Sequence, residues 1–307
     1  PNSMLETTPF NDFPKLNINS EDLIAKNGLN SILTSSSDKK KYNYRFIDES
    51  SENIFLKENI GKYSIKIKNI LDAIEDSEGV VIIYSQFIEA GIIPMALALE
   101  CNGFKKFGNN SLFTTPQSNV KQEFNYIMIT GDKLLTDNLK GELKAITDTN
   151  NVNGNIIKVV LLSMAGSEGI DFKFIRQIHI MEPWYNINRM EQIIGRGIRN
   201  CSHKDLELVK RNCKIFMHTS LLENKTIESV DMLLYRKAEL KAIQIGKTTR
   251  LMKETSVDCL LNIEQTNFTV DKLMSFAANK DIEISLASNI KIPFKIGDKP
   301  FSNVCDY

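Results

Sequence analysis

Apolar residues in this chain gather in short unbroken runs, separated by stretches where they recur at helical spacing. The runs are Val80-Val81-Ile82-Ile83-Tyr84, Tyr126-Ile127-Met128-Ile129, and the stretches 156–162, 177–181 and 213–218. A continuous apolar run of strand length reads as a strand buried on both faces, as in a parallel sheet covered by helices on either side. Between the runs, Ile65, Ile67, Ile70, Leu71 and Ile74 predict a helix that Asp76-Ser77-Glu78-Gly79 ends. Met95-Ala96-Leu97-Ala98-Leu99 predicts a second helix, and a third follows Thr130-Gly131-Asp132 to about Ile146. Strands alternating with helices imply βαβ units and a mostly parallel α/β sheet flanked by helices.

The flanks read differently. Residues 5–60 are polar and rich in Asn, Ser and Lys, which predicts a short helix over 20–33 and then a mobile loop holding Ser35-Ser36-Ser37 and Lys39-Lys40-Lys41. The lysine run is read as a solvated loop rather than a nucleic-acid patch. Residues 104–123 read as an insertion and 147–155 as a loop. A long charged amphipathic helix is expected over 226–254, with Ile227, Val230, Leu233, Leu234, Ala238 and Ile243 packing on the domain. Pro1-Asn2-Ser3-Met4 has the look of a cloning scar, which would make the chain a piece of something longer. The expected division is therefore 1–4 scar, 5–60 lead-in, 61–222 α/β domain and 223–307 a helical and mixed C-terminal extension.

The densest polar signals lie between Ser163 and Arg199. Ala165-Gly166-Ser167-Glu168-Gly169-Ile170-Asp171 follows the third apolar run, and a small-residue loop at a strand end is how open α/β sheets present backbone to a ligand. Beyond the next strand comes Gln192-x-x-Gly195-Arg196-x-x-Arg199. A helix from about Asn188 would put those four residues on one face, at i, i+3, i+4 and i+7. Met190, Ile193, Ile194 and Ile198 would then form the core-facing stripe. Two guanidinium groups beside a glutamine and a glycine suit a polyanion, because arginine grips phosphate bidentately. Each arginine alone reads as a solvated helix residue; the pairing with the Gly-Ile-Asp loop is what points to a site.

Composition narrows the class. Lysine plus arginine number 38 and aspartate plus glutamate 38, so no global field draws the chain to nucleic acid and any such binding needs a local face. No apolar run is long enough to span a bilayer. The 5 cysteines are scattered, without a C-x-x-C pair, which argues against a zinc site and fits a reducing compartment. His179 and His218 lie in apolar runs and are expected as strand or core residues. No G-x-x-x-x-G-K-[ST] loop follows a strand. Gly246-Lys247-Thr248 imitates its end inside a helical pattern, and Asp48-Glu49 imitates an acidic motif with no phosphate loop before it.

On these residues the chain resembles the second RecA-like domain of superfamily 2 helicases, with the Gly-Ile-Asp loop as motif V and the arginine segment as motif VI. Tyr84-Ser85-Gln86-Phe87 resembles motif IV. The stretches Ile178-His179-Ile180-Met181-Glu182-Pro183-Trp184, Arg199-Asn200-Cys201-Ser202-His203 and Ser256-Val257-Asp258-Cys259-Leu260-Leu261-Asn262 are similar to the Swi2/Snf2-like helicases of large cytoplasmic DNA viruses. That resemblance covers roughly residues 60–265. It implies that Arg196 and Arg199 reach the γ-phosphate of ATP as arginine fingers, with Gln192 coupling them. It implies that Gly169 and Asp171 approach the ribose, and that Ser85, Thr130, Gly131 and Ser163 touch nucleic-acid phosphates. Trp184 reads as a packing anchor, with base stacking the other use of such a ring. ATP and Mg²⁺ would be bound mainly by a first RecA-like domain of the same protein. The implied partners are DNA or RNA and the viral RNA polymerase machinery, with no membrane; the implied locations are the host cytoplasm, in viral factories, and the virion. A non-enzymatic RecA-like docking or termination module on that polymerase is the other reading the fold allows.

Overall fold

The computed structural model describes residues 25–38, 41–48, 51–108, 111–114, 124–136, 138–164, 170–222, 227–254, 282–285 and 291–294. The chain enters through helix α1 (Ala25–Ile32) and an antiparallel hairpin of β1 (Leu33–Asp38) and β2 (Lys41–Phe46). Helices α2 (Lys57–Ile60) and α3 (Ile65–Glu75) lead into β3 (Val80–Tyr84). A π-helical turn, Ile88–Ile92, opens α4 (Ile93–Cys101), which is followed by β4 (Phe104–Lys106), β5 (Phe124–Ile129), α5 (Leu139–Thr147), β6 (Val159–Leu162) and β7 (Ile175–Ile180). Then come α6 (Ile187–Gly197), β8 (Lys214–Met217), α7 (Val230–Glu254) and a short hairpin of β9 (Ile282–Ser285) and β10 (Lys291–Phe294).

Strands β4-β5-β6-β3-β7-β8 form one sheet in that order, and every neighbouring pair is parallel. This is the RecA-like α/β architecture. Its central strands β3 and β6 are buried along their whole length, as their unbroken apolar runs require. One face packs Val81, Ile83, Met128 and Leu161 under α3, α4 and the N-terminal hairpin; the other packs Ile82, Ile129, Leu162 and Ile180 under α5, α6 and Ala238 of α7. Helix α3 starts where Ser64 caps it, its hydroxyl accepting from Ile67 N at 3.3 Å, and buries Ile67, Ile70, Leu71 and Ile74. Strand β6 starts later than the apolar run because the buried Asn151 amide takes the N–H groups of Ile156 and Ile157, both at 2.9 Å.

Three expectations need correction. The stretch after the first helix is not a loop. It is the β1–β2 hairpin, whose Tyr42, Tyr44 and Phe46 alternate as a half-buried strand does. Tyr44 is held to the body by Tyr44 N donating to Leu112 O at 2.8 Å and by Phe46 stacking on Phe113. The supposed insertion contains edge strand β4, too short and too basic to show as an apolar run. Helix α6 stops at Gly197, so Arg199 lies beyond it. Met190 and Ile193 are buried as expected, whereas Ile194 is half-buried and Ile198 is 43% exposed. Its last turn lies against β7: a Cβ on Gly197 would stand 2.9 Å from Ile178 Cδ1 and 3.1 Å from Ile175 Cγ2.

Candidate nucleotide and nucleic-acid site

The sheet registers put Tyr84 level with Leu162 and Ile180, and Ile129 level with Leu162. Ser85, Thr130, Ser163 and Met181 therefore leave the sheet side by side at its carboxyl edge. The chain after β3 runs to one side of the sheet and the chain after β6 to the other, so this is a topological switch point, where open α/β sheets bind ligands.

At this edge the two polar signals of the sequence meet. Arg199 Nη1 lies 2.8 Å from each carboxylate oxygen of Asp171. The pair is open to solvent, with 44% of the arginine side chain and 59% of the aspartate side chain exposed. An exposed pair of this kind contributes little to stability and exchanges partners cheaply. Helix α6 is joined to the same loop through Phe172 N, which donates to Arg196 O at 3.3 Å. Arg196 and Gln192 stand on α6, half-buried and exposed respectively, and a Cβ on Gly195 would meet nothing within 4 Å, so that turn faces open space. Gly169 lies outside the described residues.

Sequence reasoning gave no role to what sets Arg199 in place. Arg199 N donates to Ser202 Oγ at 3.3 Å, and Ser202 Oγ is 2.8 Å from His203 Nδ1. His203 Nε2 is 2.7 Å from Ile175 O, so it donates there and leaves Nδ1 to accept from the Ser202 hydroxyl. Cys201, at φ 63, turns the chain for this, and Ser202 O accepts from Phe174 N at 3.3 Å. The Ser-His pair that begins three residues after the second arginine was the available signal.

The residues expected to meet phosphates divide by environment. Ser85 is fully buried, and its hydroxyl donates to Glu182 Oε1 at 2.8 Å; Gln86 N donates to Glu182 Oε2 at 3.3 Å. Glu182 was not singled out from sequence, yet it clasps the start of the motif IV turn. Burial raises its carboxyl above the usual range, opposed by those two hydrogen bonds. Thr130 is turned inward: its N–H donates to Thr136 Oγ1 at 2.8 Å, and its own hydroxyl accepts from Asp132 N at 3.2 Å. Gly131 is exposed. Ser163 is buried, and its hydroxyl has no hydrogen-bond partner among the described residues. Trp184 is half-exposed under the guanidinium of Arg189, 3.9 Å from the ring centroid, and is tilted against Tyr185. His179 is buried in β7, with Nδ1 2.9 Å from His218 Nε2 and Nε2 3.1 Å from Gln177 Oε1.

Residues 65–201 match the family described as the helicase conserved C-terminal domain. The chain carries the C-terminal domain of a superfamily 2 helicase. Over 240 residues it is 32% identical to the provisionally named helicase 087L of Invertebrate iridescent virus 3, covering 76% of this chain and 24% of that protein. A likewise provisionally named ATP-dependent RNA helicase, R563 of Acanthamoeba polyphaga mimivirus, is 34% identical over 204 residues, covering 66% of this chain and 34% of that protein. The termination factor NPH-I homolog of an African swine fever virus isolate is 25% identical over 236 residues, covering 66% and 33%. The chain thus spans about a quarter to a third of the length of these viral relatives. Among solved structures, the C-terminal part of the Fun30 ATPase domain aligns over 61% of this chain and 59% of that one, at 12% identity and TM-score 0.36, a level that carries no argument.

An arginine held by one exposed carboxylate, three residues beyond a second arginine, can grip an anionic group such as a phosphate. Among the described residues no group of three or more His, Cys, Asp or Glu stands close enough to hold a metal ion. Gly246-Lys247-Thr248 lies inside α7, where no phosphate loop can form. Among the described residues no helix is long and apolar enough to cross a membrane.

Proposed function

We propose that this domain is the second motor half of a viral nucleic-acid-dependent ATPase, a helicase or translocase acting in viral transcription or replication. The observation that carries this reading is the Arg199–Asp171 pair. It joins the motif V loop to the arginine segment at the switch point of the sheet, exposed and ready for a new partner. In the closed motor, the γ-phosphate of ATP on the first RecA-like domain takes the place of Asp171 on Arg199, with Arg196 beside it. ATP supplies the transferable phosphoryl group, and the arginines stabilise charge on it as it transfers. Asp171, once released, turns to the ribose, the role also given to Gly169, and Gln192 couples nucleotide to strand.

The other half of the reading is a groove for the sugar-phosphate backbone. Gly131 offers an exposed backbone and Ser163 a hydroxyl without a partner among the described residues, while Ser85 and Thr130 hold the turns from within. A groove made of so few groups, on a chain of zero net charge, binds weakly, without sequence preference along the backbone, and loses affinity steeply with salt. The termination-factor name of one relative favours viral transcription as the setting, with the RNA polymerase machinery as the proposed partner and viral factories and the virion as the proposed locations.

The experiment places Arg199→Ala in the protein that joins this domain to its phosphate-loop partner. ATP turnover falls by about 10³–10⁵, while the urea midpoint is unchanged because the side chain is half-exposed. Undiminished turnover would show that the finger lies elsewhere, whereas a parent protein with no turnover at all would leave the non-enzymatic docking or termination module as the better reading.

A further inference from the structure

The carboxyl ends of β3 and β5 do not open directly to solvent on the side of the N-terminal hairpin. Between them and α1 with β1–β2 lies a cavity of about 630 Å³, lined among others by Asn30, Tyr42, Gln86, Phe87, Glu89 and Asp132. That volume is within the roughly 300–1,000 Å³ of small-molecule sites. One wall is aromatic, with Tyr42 stacked on Tyr44 at 6.4 Å and 26°. Phe87, 51% exposed, presents its ring without a stacking partner among the described residues.

The polar wall is set in advance. Asp132 Oδ2 accepts from Tyr42 OH at 3.0 Å, and Oδ1 accepts from Leu134 N at 2.8 Å. Each carboxylate oxygen has a second lone pair, so this fixed carboxylate can still accept two parallel N–H donors. Glu89 adds a second negative charge and Lys26 a single positive one. The Tyr44 hydroxyl registers that field: it is pushed up to about 12, by burial first and then by Tyr42, Glu89 and Asp132. Such a lining repels a phosphate. It favours a flat ring that can stack on one side and donate N–H groups on its edge.

Position identifies the ring. Phe87 follows Ser85 by two residues and Asp132 directly follows Gly131, so the cavity adjoins the turns assigned to the backbone groove. We propose that the cavity receives one unstacked base of the strand lying in that groove, guanine in preference, stacked on Phe87 and paired to the Asp132 carboxylate through N1–H and the 2-amino group. Guanine is the standard base whose Watson–Crick edge sets two donors side by side, as a carboxylate requires. An arginine of a partner peptide offers similar donors, but a guanidinium is far smaller than this cavity, and nothing about a peptide explains its place beside the groove turns. The proposal rests on the nucleic-acid reading above.

The test measures fluorescence anisotropy of the 307-residue chain with labelled single strands at low salt: all-thymidine, and the same strand with one central guanine, inosine, adenine or abasic site. One guanine tightens binding about tenfold, within the range of a bidentate base contact. Inosine, lacking the 2-amino group, recovers only part of the gain, and the abasic strand none. Asp132→Asn removes the guanine preference and leaves the all-thymidine affinity alone. Phe87→Ala, at an exposed position where unfolding is not at issue, weakens the guanine strand about tenfold, as loss of one stacked base does. If strands bind but guanine, adenine and abasic versions bind equally, or if both variants keep the guanine preference, the cavity proposal falls and the groove stands. A chain that binds no strand overturns both. Binding of an arginine-bearing peptide that Asp132→Asn abolishes, with no guanine preference, makes the cavity a peptide site and refutes the base.

Discussion

Glu182 offers the most direct way to ask whether the motif IV turn is built as described. Glu182→Ala deletes the acceptor for the Ser85 hydroxyl at 2.8 Å and for Gln86 N at 3.3 Å. A hydrogen bond to a charged group contributes about 1.5–3 kcal/mol net. The loss is smaller here, because the Ser85 hydroxyl can turn to Phe87 O, already 3.1 Å away, and recover a neutral bond of about 0.5–1.5 kcal/mol. Removing a carboxylate disfavoured by burial also offsets part of the cost. The balance is about 1–2 kcal/mol of destabilisation, which urea denaturation resolves. Ser85→Ala alone costs a similar amount, since Phe87 N also donates to that hydroxyl, at 3.1 Å. The informative quantity is the double-mutant cycle between them: a coupling of about 1 kcal/mol, clear of the roughly 0.3–0.5 kcal/mol within which independent sites add. A coupling inside that scatter would mean the Ser85 hydroxyl is not committed to Glu182. It would then be available to a phosphate, as the sequence alone suggested.

Two further outcomes follow from packing and titration. Gly91→Ala places a Cβ 2.0 Å from Ser85 Oγ and 2.7 Å from Ser85 Cβ; the π-helical turn must shift, at about 1–3 kcal/mol, and a thermal melt identical to the parent would refute that packing. His179 is held neutral, its pKa lowered to about 3 by burial first and then by His218; the unfolded chain takes up the proton first, so stability falls as pH drops from about 6.5 toward 3, by about 2 kcal/mol between pH 7 and 5, and His179→Gln flattens this acid slope in urea titrations.

What could be read from the sequence, and what could not, follows from the range of each interaction. Four of the five apolar runs were visible because a strand covered on both faces has to be apolar throughout, whatever its neighbours; the fifth, β8, is an edge strand and largely exposed. Edge strand β4, with Lys105 and Lys106, and strand β1, with three serines, carry no such mark. Strand β4 pairs with β5 across an intervening segment, and β1 pairs with β2, which is itself held to the body by partners distant in sequence, such as Leu112 for Tyr44. The arginine segment was recognisable as a motif, but its face was misjudged by assuming that the helix continues. Gly197 is buried against Ile175 and Ile178, the chain leaves the helix at Ile198 with φ −115 and ψ 81, and Arg199 turns toward Asp171.

Glu182 illustrates the harder case. Sequence placed a carboxylate after the fourth expected strand and a serine after the first, 97 residues apart, and assigned the serine to phosphate. Which strands neighbour one another cannot be read from apolar runs, because every buried parallel strand looks alike. Once β7 lies beside β3, with Ile180 level with Tyr84, the residues following each strand must emerge together. Glu182 then reaches Ser85 across one strand spacing, and the hydroxyl that seemed free is committed inside the turn. Strand order, more than any motif, therefore decides which polar groups at this edge remain for a ligand: Gly131, Ser163 and the Arg199–Asp171 pair rather than Ser85.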